Sequence, residues 1–180
     1  MRIIAGSRKG ARIFAPKGDE TRPTGDRARE AAFNLIGPVD GARVLDLFAG
    51  SGAMGLEALS RGAATATFVE RDRHAAETIK RNLDKLGFTG ATVVREDAVR
   101  ALGADAAGGR RYDLVLIDPP YRTLAGMLPT LGRYLPSVLA PGGLVVVESD
   151  AREEPELPLP SRTSRRYGAA RVTVFEAPDG

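Results

Sequence analysis

The chain has 180 residues, of which 43% are hydrophobic and 27% charged, and this predicts one soluble domain with a sizeable core. It has no cysteine and a single histidine, which excludes disulfides, thiolate metal sites, cysteine nucleophiles and histidine-rich metal sites. No run approaches the roughly 20 apolar residues of a membrane span, and residues 1–10 lack the apolar core of a secretory signal. We therefore expect a cytoplasmic protein.

The net charge is only +3, but the basic residues gather at the two ends of the chain. Residues 1–18 contain no acid and carry Arg2, Arg8, Lys9, Arg12 and Lys17. A second stretch without acids carries Arg162, Arg165, Arg166 and Arg171. Two basic ends predict a polyanionic partner, although solvated surface charge without a partner explains them equally well at this point.

The first predicted elements are a small hairpin and a helix. The segment "RIIAGSRKGARIF" predicts a hairpin that turns at Lys9-Gly10. A helix is predicted over about 24–36, with Thr24 or Asp26 as its cap.

The rest of the chain alternates between strands and helices. Strands are predicted at 43–49, 64–70, 91–96, 112–118 and 143–149. Helices are predicted at 51–62, at 72–87, directly after 91–96 and at about 124–139. Residues 103–111 are expected to form a flexible loop and 153–161 an extended connector, and the tail predicts two strands joined by a tight turn at Gly168.

This alternation predicts the fold class. Nearly continuous β-branched runs separated by helices indicate a parallel sheet that is covered on both faces. We expect an α/β, Rossmann-like fold with a mostly parallel seven-stranded sheet and helices on both faces. In a single domain over 1–180, the hairpin and helix of 1–38 would form an extension of a core spanning 39–180.

The segment "LDLFAGSGAMG" contains G-x-G-x-x-G at Gly50, Gly52 and Gly55, between a predicted strand and a predicted helix. Glu70 ends the next strand at the spacing typical of a nucleotide-binding βαβ unit. Asp46 lies inside the first strand, and its carboxylate would repel a pyrophosphate at the helix N-terminus. S-adenosylmethionine carries an ammonium, a sulfonium and no phosphate, so it is favoured over NAD. A turn without a ligand is the third alternative.

Acidic residues recur where successive strands end, at Asp46, Glu70, Asp97 and Asp118. Strand C-terminal ends line the ligand crevice of a doubly wound sheet. Such a rim suits amino groups and hydroxyls, and Asp97 could accept from an adenine amine while Ala98 supplies a backbone N–H. Each acid taken singly could instead be a helix N-cap.

The segment "VLIDPPYRT" (115–123) leaves a strand and becomes rigid at once, because Pro119 and Pro120 restrict the backbone. Asp118 and the Pro119 carbonyl are acceptors, and Tyr121 offers a flat face. Together they suit a planar group with an NH₂, such as a nucleobase. Accepting the amine hydrogens would aim the nitrogen lone pair at a methyl carbon, and rigid placement serves an in-line transfer. A rigid turn without function remains the alternative.

The segments "VLDLFAGSG" and "DPPY" together resemble the class I S-adenosylmethionine-dependent amino-methyltransferases. "TRPTGDRAREAAFN" (21–34) matches the form R-P-T-x-D-R-x-R-E, and with "MRIIAGSRKG" it narrows the resemblance to the bacterial small-subunit ribosomal RNA guanine-N2 methyltransferases. The likeness runs from Arg2 to about Ser149. It implies a class I methyltransferase fold and methylation of the N2 amine of a guanine in 16S rRNA, guanine 966 in the family. It also implies a small ribosomal subunit or an assembly intermediate as substrate, a monomeric enzyme, and no metal or membrane.

The resemblance also implies roles for individual residues. The S-adenosylmethionine site would comprise Asp46, Phe48, Ala49, Gly50, Ser51, Gly52, Glu70, Arg71, Asp97, Ala98 and Thr24. The target guanine would lie against Asp118, Pro119, Pro120 and Tyr121. RNA contacts would come from Arg2, Arg8, Lys9, Arg12, Arg22, Arg27 and Arg29.

Three alternatives remain open from the residues themselves. A DNA adenine-N6 methyltransferase uses the same tip chemistry, but only about 20 residues separate "DPPY" from the next strand, which leaves no room for a recognition domain there. A protein glutamine methyltransferase more typically carries Asn in place of Asp118. A binding module without catalysis would need no such tip.

Overall fold

A computed structural model of the chain describes residues 1–16 and 25–180. Arg22 and Thr24, for which the sequence predicts RNA and cofactor contacts, lie outside the described residues. The described helices are α1 Gly25–Ile36, α2 Ala53–Ser60, α3 Arg73–Leu86, α4 Ala98–Ala107 and α5 Tyr121–Val138. The described strands are β1 Arg43–Leu47, β2 Thr65–Val69, β3 Ala91–Val94, β4 Tyr112–Ile117, β5 Leu139–Asp150, β6 Ser161–Tyr167 and β7 Ala170–Glu176.

The strands form one seven-stranded sheet in the order β3-β2-β1-β4-β5-β7-β6. The pairs within β3-β2-β1-β4-β5 are all parallel, and β7 is antiparallel to both β5 and β6. The mostly parallel sheet is therefore confirmed. From β1 the chain moves outward through β2 and β3, then returns to β4 on the other side of β1, so a crevice opens at the carboxyl ends of β1 and β4.

Helices cover both faces of this sheet, as predicted. On one face α1, α2 and α3 contribute Phe33, Leu56 and Ile79 to a buried cluster. On the other face α4 and α5 contribute Leu102 and Leu131 to a second cluster. Among the described residues, no helix is long and apolar enough to cross a membrane.

Strand β4 shows why the central strands are continuous apolar runs in the amino-acid sequence. Leu114 and Leu116 belong to the first cluster, and Val115 and Ile117 belong to the second. Side chains alternate between the two faces of a strand, and here both faces are buried. This burial fixes the register that brings Asp118 to the carboxyl edge.

The N-terminal arm, residues 1–16, forms only part of the predicted hairpin. The N–H of Ile3 donates to the carbonyl of Ala11 at 2.9 Å, and the N–H of Ile13 donates to the carbonyl of Met1 at 3.0 Å. Arg2 and Arg12 form an isolated antiparallel bridge, and no described strand develops in the arm. The ladder stops because the next N–H groups on one side bond elsewhere in the protein.

Those N–H groups bond to Glu57 of α2, whose side chain is fully buried. Its carboxylate accepts from the N–H of Ile4 at 2.8 Å and from the N–H of Ala5 at 3.0 Å. The guanidinium groups of Arg61 and Arg29 lie 2.9 and 3.4 Å from it. A buried carboxylate is tolerated when its charge and lone pairs are matched in this way, and the contacts join the arm, α1 and α2.

Arg29 was predicted to contact RNA, and its placement contradicts that prediction. Its side chain is 4% exposed and lies between Glu57 and Asp26, the latter at 3.0 Å. It also donates to the backbone carbonyl of Arg2. Its charge is thus balanced inside the protein.

Two further expectations differ from the structure. Residues 103–107 belong to α4, since Asp97 caps this helix and the alanine-rich segment favours continuing it over forming a loop. Helix α5 begins at Tyr121, earlier than predicted, with Pro120 as its N-cap residue. The two tail strands and the turn at Gly168, with φ 61°, are as predicted.

Replacing Gly55 with alanine should destabilise the protein by about 1–3 kcal/mol, because the added methyl would overlap the ring of Phe68. Gly126, in α5, has no neighbour within 4 Å of an added methyl. Gly126→Ala should instead be neutral or raise the free energy of unfolding by up to about 1 kcal/mol. Denaturant unfolding of both variants measures this contrast, and equal effects would contradict the packing described here.

Candidate functional site

A cavity of about 850 Å³ opens at the carboxyl ends of the parallel strands. Most of the predicted cofactor and substrate residues line it: Asp46, Phe48, Ala49, Gly50, Ser51, Glu70, Arg71, Asp97, Ala98, Asp118, Pro119 and Pro120. The start of α1 and the first residue of the arm form another part of its wall, through Gly25, Asp26, Arg29 and Met1. The strand ends, the arm and α1 therefore share one enclosure.

A tight turn carries the chain from β1 into α2 along the cavity wall. Phe48, Gly50 and Gly52 have φ values of 58°, 59° and 83°. Glycine adopts this conformation freely, whereas Phe48 does so at a cost of about 1–2 kcal/mol. The sequence pattern identified the glycines but not the strained Phe48 between them and the strand.

Asn82 of α3 holds this turn in place and was missed by the sequence analysis. It is fully buried, and its amide nitrogen donates to the carbonyl of Ser51 at 3.0 Å. The same side chain bonds to both the N–H and the carbonyl of Phe14 in the arm. A polar residue inside an amphipathic helix was the available signal, because a buried amide needs partners.

Asp46 lies at the base of the cavity, with only 2% of its surface exposed. Its Oδ2 accepts from the N–H of Gly55 at 2.9 Å. Burial raises the pKa of Asp46 to about 8, the Gly55 bond opposes that shift, and the neighbouring charge of Glu70 adds to it. A cationic group bound beside Asp46 would favour its ionised form, so the site suits an ammonium.

Glu70 connects β2 to the glycine turn. Its Oε1 accepts from the N–H of Gly50 and its Oε2 from the N–H of Asp72, both at 3.0 Å. Each carboxylate oxygen has two acceptor sites, so capacity remains for ribose hydroxyls. Glu70 thus shapes the turn and also faces the cavity.

Asp97 is the N-cap of α4, where it accepts from the N–H of Arg100 at 3.0 Å. The helix-cap alternative raised from the sequence therefore holds for this acid, although Asp97 also lines the cavity beside Ala98. Glu96, which the sequence analysis did not single out, lines the cavity and accepts from the N–H of Asp97 at 2.9 Å. Contact of Asp97 with adenine stays a prediction.

The proline tip joins β4 to α5. Asp118 and Pro120 face the cavity, and Pro119 faces it from a buried position. Tyr121 is the first residue of α5, and its hydroxyl donates to Oε1 of Glu148 at 2.9 Å. Tyr121 is not among the lining residues, but this bond ties its hydroxyl to Glu148, which lines the cavity. Stacking of Tyr121 on a base stays a prediction.

Glu148 is a cavity residue that the sequence analysis missed. It lies near the carboxyl end of β5, so the rule that selected the other strand-end acids would also have selected Glu148. Other lining residues without a sequence signal are Ala53, Met54, Val69, Thr123 and Met127.

Carboxylates dominate the cavity wall. The acidic lining residues are Asp26, Asp46, Glu70, Glu96, Asp97, Asp118 and Glu148, against two arginines, Arg29 and Arg71. Since Arg29 is already paired with Glu57 and Asp26, this wall disfavours a pyrophosphate. It suits a ligand that presents an ammonium, hydroxyls and an amine, which is the donor set of S-adenosylmethionine.

Five of the basic residues predicted to bind RNA are described and do not line this acidic wall. Arg2, Lys9, Arg12 and Arg27 are exposed. Arg8 is half-buried, because its Nε donates to the carbonyl of Leu86 at 2.7 Å. Arg8 therefore binds the C-terminal turn of α3, and it is less available to a phosphate than its neighbours.

Comparison with known proteins gives consistent matches over nearly the whole chain. The family model described as "Conserved hypothetical protein 95" matches residues 1–176. The protein YlbH of Bacillus subtilis is 43% identical over 98% of each chain. The ribosomal RNA small subunit methyltransferase D of Escherichia coli is 42% identical over 83% of this chain and 75% of its own. The solved structure of yhhF from Escherichia coli has a TM-score of 0.84 at 34% identity, covering 100% of this chain and 99% of that one.

The raised pKa of Asp46 predicts a pH-dependent stability. An unfolded Asp loses its proton near pH 4, whereas folded Asp46 keeps it to about pH 8, so ionisation of the unfolded state lowers stability across this window. Asp46→Asn removes this effect. The free energy of unfolding of this variant, measured relative to that of the wild type, should therefore rise by up to about 1.4 kcal/mol for each pH unit between pH 5 and 8.

Unfolding curves from pH 5 to 9 measure this difference. Asp113→Asn is the control, because Arg43 holds the pKa of Asp113 below its usual value and Asp113 is ionised throughout that range. Parallel pH profiles for the wild type and Asp46→Asn would contradict the account of Asp46.

Proposed function

Because this chain belongs to the family of the ribosomal RNA small subunit methyltransferase D, we propose that it transfers a methyl group from S-adenosylmethionine to the exocyclic N2 amine of a guanine in 16S rRNA. The observation that carries this proposal is the rigid Asp118-Pro119-Pro120 tip, which shares one cavity with the buried Asp46 and Glu70. The tip provides acceptors for an amine, and the acids provide acceptors for a cationic nucleoside.

The cavity wall supports a defined orientation of the cofactor. Asp46 would bind the ammonium of the methionine part, and Glu70, at the end of the neighbouring strand, would accept from the ribose hydroxyls. Asp97 and Ala98 lie one strand further on and would hold the adenine. When bound, the cofactor supplies an electrophilic methyl carbon.

The tip would make the target nitrogen reactive. An exocyclic amine is a weak nucleophile, since its lone pair is delocalised into the ring. Asp118 and the Pro119 carbonyl would accept its two hydrogens and turn the lone pair toward the methyl carbon. The nitrogen would gain the methyl group as the sulfonium S–CH₃ bond breaks, with neutral S-adenosylhomocysteine as the leaving group. It would lose one proton, which the Asp118 carboxylate would accept, directly or through water. The Tyr121–Glu148 bond would keep the stacking ring in position.

The substrate class rests on the relatives and on the surface around the cavity. Exposed Arg2, Lys9, Arg12 and Arg27 lie on the arm and α1, which also form part of the cavity wall. Phosphates would therefore meet basic side chains outside an acidic site that receives one base. Such a substrate is encountered in the cytoplasm, as an assembled small subunit or an assembly intermediate. Guanine 966 is the position we propose.

A tritiated-methyl transfer assay tests this function. Label should enter naked 16S rRNA or unmethylated small subunits and should not enter duplex DNA or protein. Label appearing only in DNA would identify an adenine-N6 methyltransferase, and label appearing only in protein would identify a glutamine methyltransferase. No transfer to any acceptor would contradict catalysis.

Replacing Asp118 with asparagine should lower kcat/KM for the RNA by about 10²-fold or more, because the variant loses a charged acceptor at the reacting amine. Affinity for S-adenosylmethionine, measured by calorimetry, should stay within about twofold. Asp113→Asn, at the opposite end of the same strand, should retain full activity. An active Asp118→Asn enzyme would remove Asp118 from the mechanism.

A further inference from the structure

We propose that the tip of the β6–β7 hairpin, defined as residues 165–171, binds phosphates of the RNA whose base enters the cavity. This proposal rests on the proposed function and adds to it a second contact surface, on the opposite end of the chain from the arm.

The strand register places this tip at the cavity edge of the sheet. Glu148 of β5 is paired with Val172 of β7, and Val172 is paired with Arg165 of β6. Arg165 is therefore level with Glu148, a cavity residue. Ile117 is paired with Val147, so Asp118 lies at the same level. Three strand spacings, about 14 Å, separate β4 from β6 along this edge.

Arg162 lies at the other end of β6. The neighbouring Ser161 is paired with Phe175, near the end of β7 that is far from the cavity. The cavity end of the strand therefore carries Arg165 and Arg166, and the far end carries Arg162. Because successive residues point to opposite faces, Arg165 and Arg166 place one cation on each side of the sheet edge.

Two of the three cations of the tip, Arg165 and Arg166, are exposed, and Arg171 is half-buried. Within residues 1–16 and 25–180, neither Arg165 nor Arg166 takes part in an ion pair, although both are exposed. The guanidinium of Arg171 donates to two neutral acceptors, the carbonyl of Ala151 at 3.2 Å and Oγ of Ser164 at 2.9 Å.

Arg166 is also paired directly with Arg171 across the two strands. Like charges in that arrangement destabilise a sheet, and among the described residues neither Arg166 nor Arg171 forms an ion pair. A phosphate between the two guanidinium groups would turn the repulsion into attraction, and arginine favours such contacts through its forked donors.

The alternative is that these arginines only protect an edge strand from pairing with another chain. That role requires no anionic partner. The two interpretations differ in one measurable quantity, which is the number of counterions released when RNA binds.

The test measures the Kd of the full chain for a 16S rRNA transcript between 50 and 300 mM salt. Arg165→Ala/Arg166→Ala should raise Kd about tenfold near 0.1 M salt and lower the slope of log Kd against log salt by about 1.5. Arg110→Ala/Arg111→Ala is the matched control. It removes the same number of charges next to the amino end of β4, far from the carboxyl ends of the strands where the cavity lies. It should change neither Kd nor the slope.

Arg165→Lys/Arg166→Lys keeps the charge and should keep the slope. A double alanine variant with an unchanged slope, or one that matches the control, would overturn the proposal. If the alanine variant does not fold, arginine modification by phenylglyoxal on the wild-type chain decides the matter. RNA should protect Arg165 and Arg166 and leave Arg110 and Arg111 reactive, and equal reactivity with and without RNA would overturn the proposal.

Failure of this proposal is separable from failure of the proposed function. If the wild-type protein methylates RNA and the alanine variant binds RNA normally, only the proposed hairpin surface is wrong. If the wild-type protein methylates no RNA, the proposed function is wrong.

Discussion

The reversal of strand order between β1 and β4 is the constraint on which the site depends. The carboxyl ends of parallel strands lie at the same edge of the sheet. Where the connections after two neighbouring strands run in opposite directions, a crevice opens between those strand ends. Buried side chains on both faces of β4 fix its register, so Asp118 emerges at this edge beside the end of β1. The acids of β1 and of the loops after β2 and β4 are therefore brought together by the packing of apolar residues.

The second determinant is how the N-terminal arm is attached. Fully buried Glu57 binds two N–H groups of the arm and two guanidinium groups, and Asn82 connects the arm to the glycine turn. The arm and α1 thus supply part of the cavity wall together with a set of exposed cations. The β6–β7 hairpin brings Arg165 and Arg166 to the same edge of the sheet as the acidic cavity.

Much of this was predictable from the sequence, because periodicity reports burial directly. The seven strands, the glycine turn and the strand-end acids all follow from local patterns. Arg29 and Arg8 were expected to bind RNA because of their charge and the family resemblance, and their partners Glu57 and Leu86 lie far away in the sequence. The strain at Phe48 and the hydrogen-bond partners of Asn82 depend on dihedral angles and distant contacts that no local pattern encodes. The capping role of Asp97 was one of the alternatives that the sequence raised. Glu148 is different, since the strand-end rule covered it.

Methylation of the N2 amine of a guanine at this cavity is tested most directly by mass spectrometry of nucleosides from 16S rRNA that has been incubated with the purified protein and S-adenosylmethionine. We expect N2-methylguanosine, in an amount that approaches one residue per RNA molecule. N6-methyladenosine, or methylguanosine modified at a ring nitrogen, would contradict it.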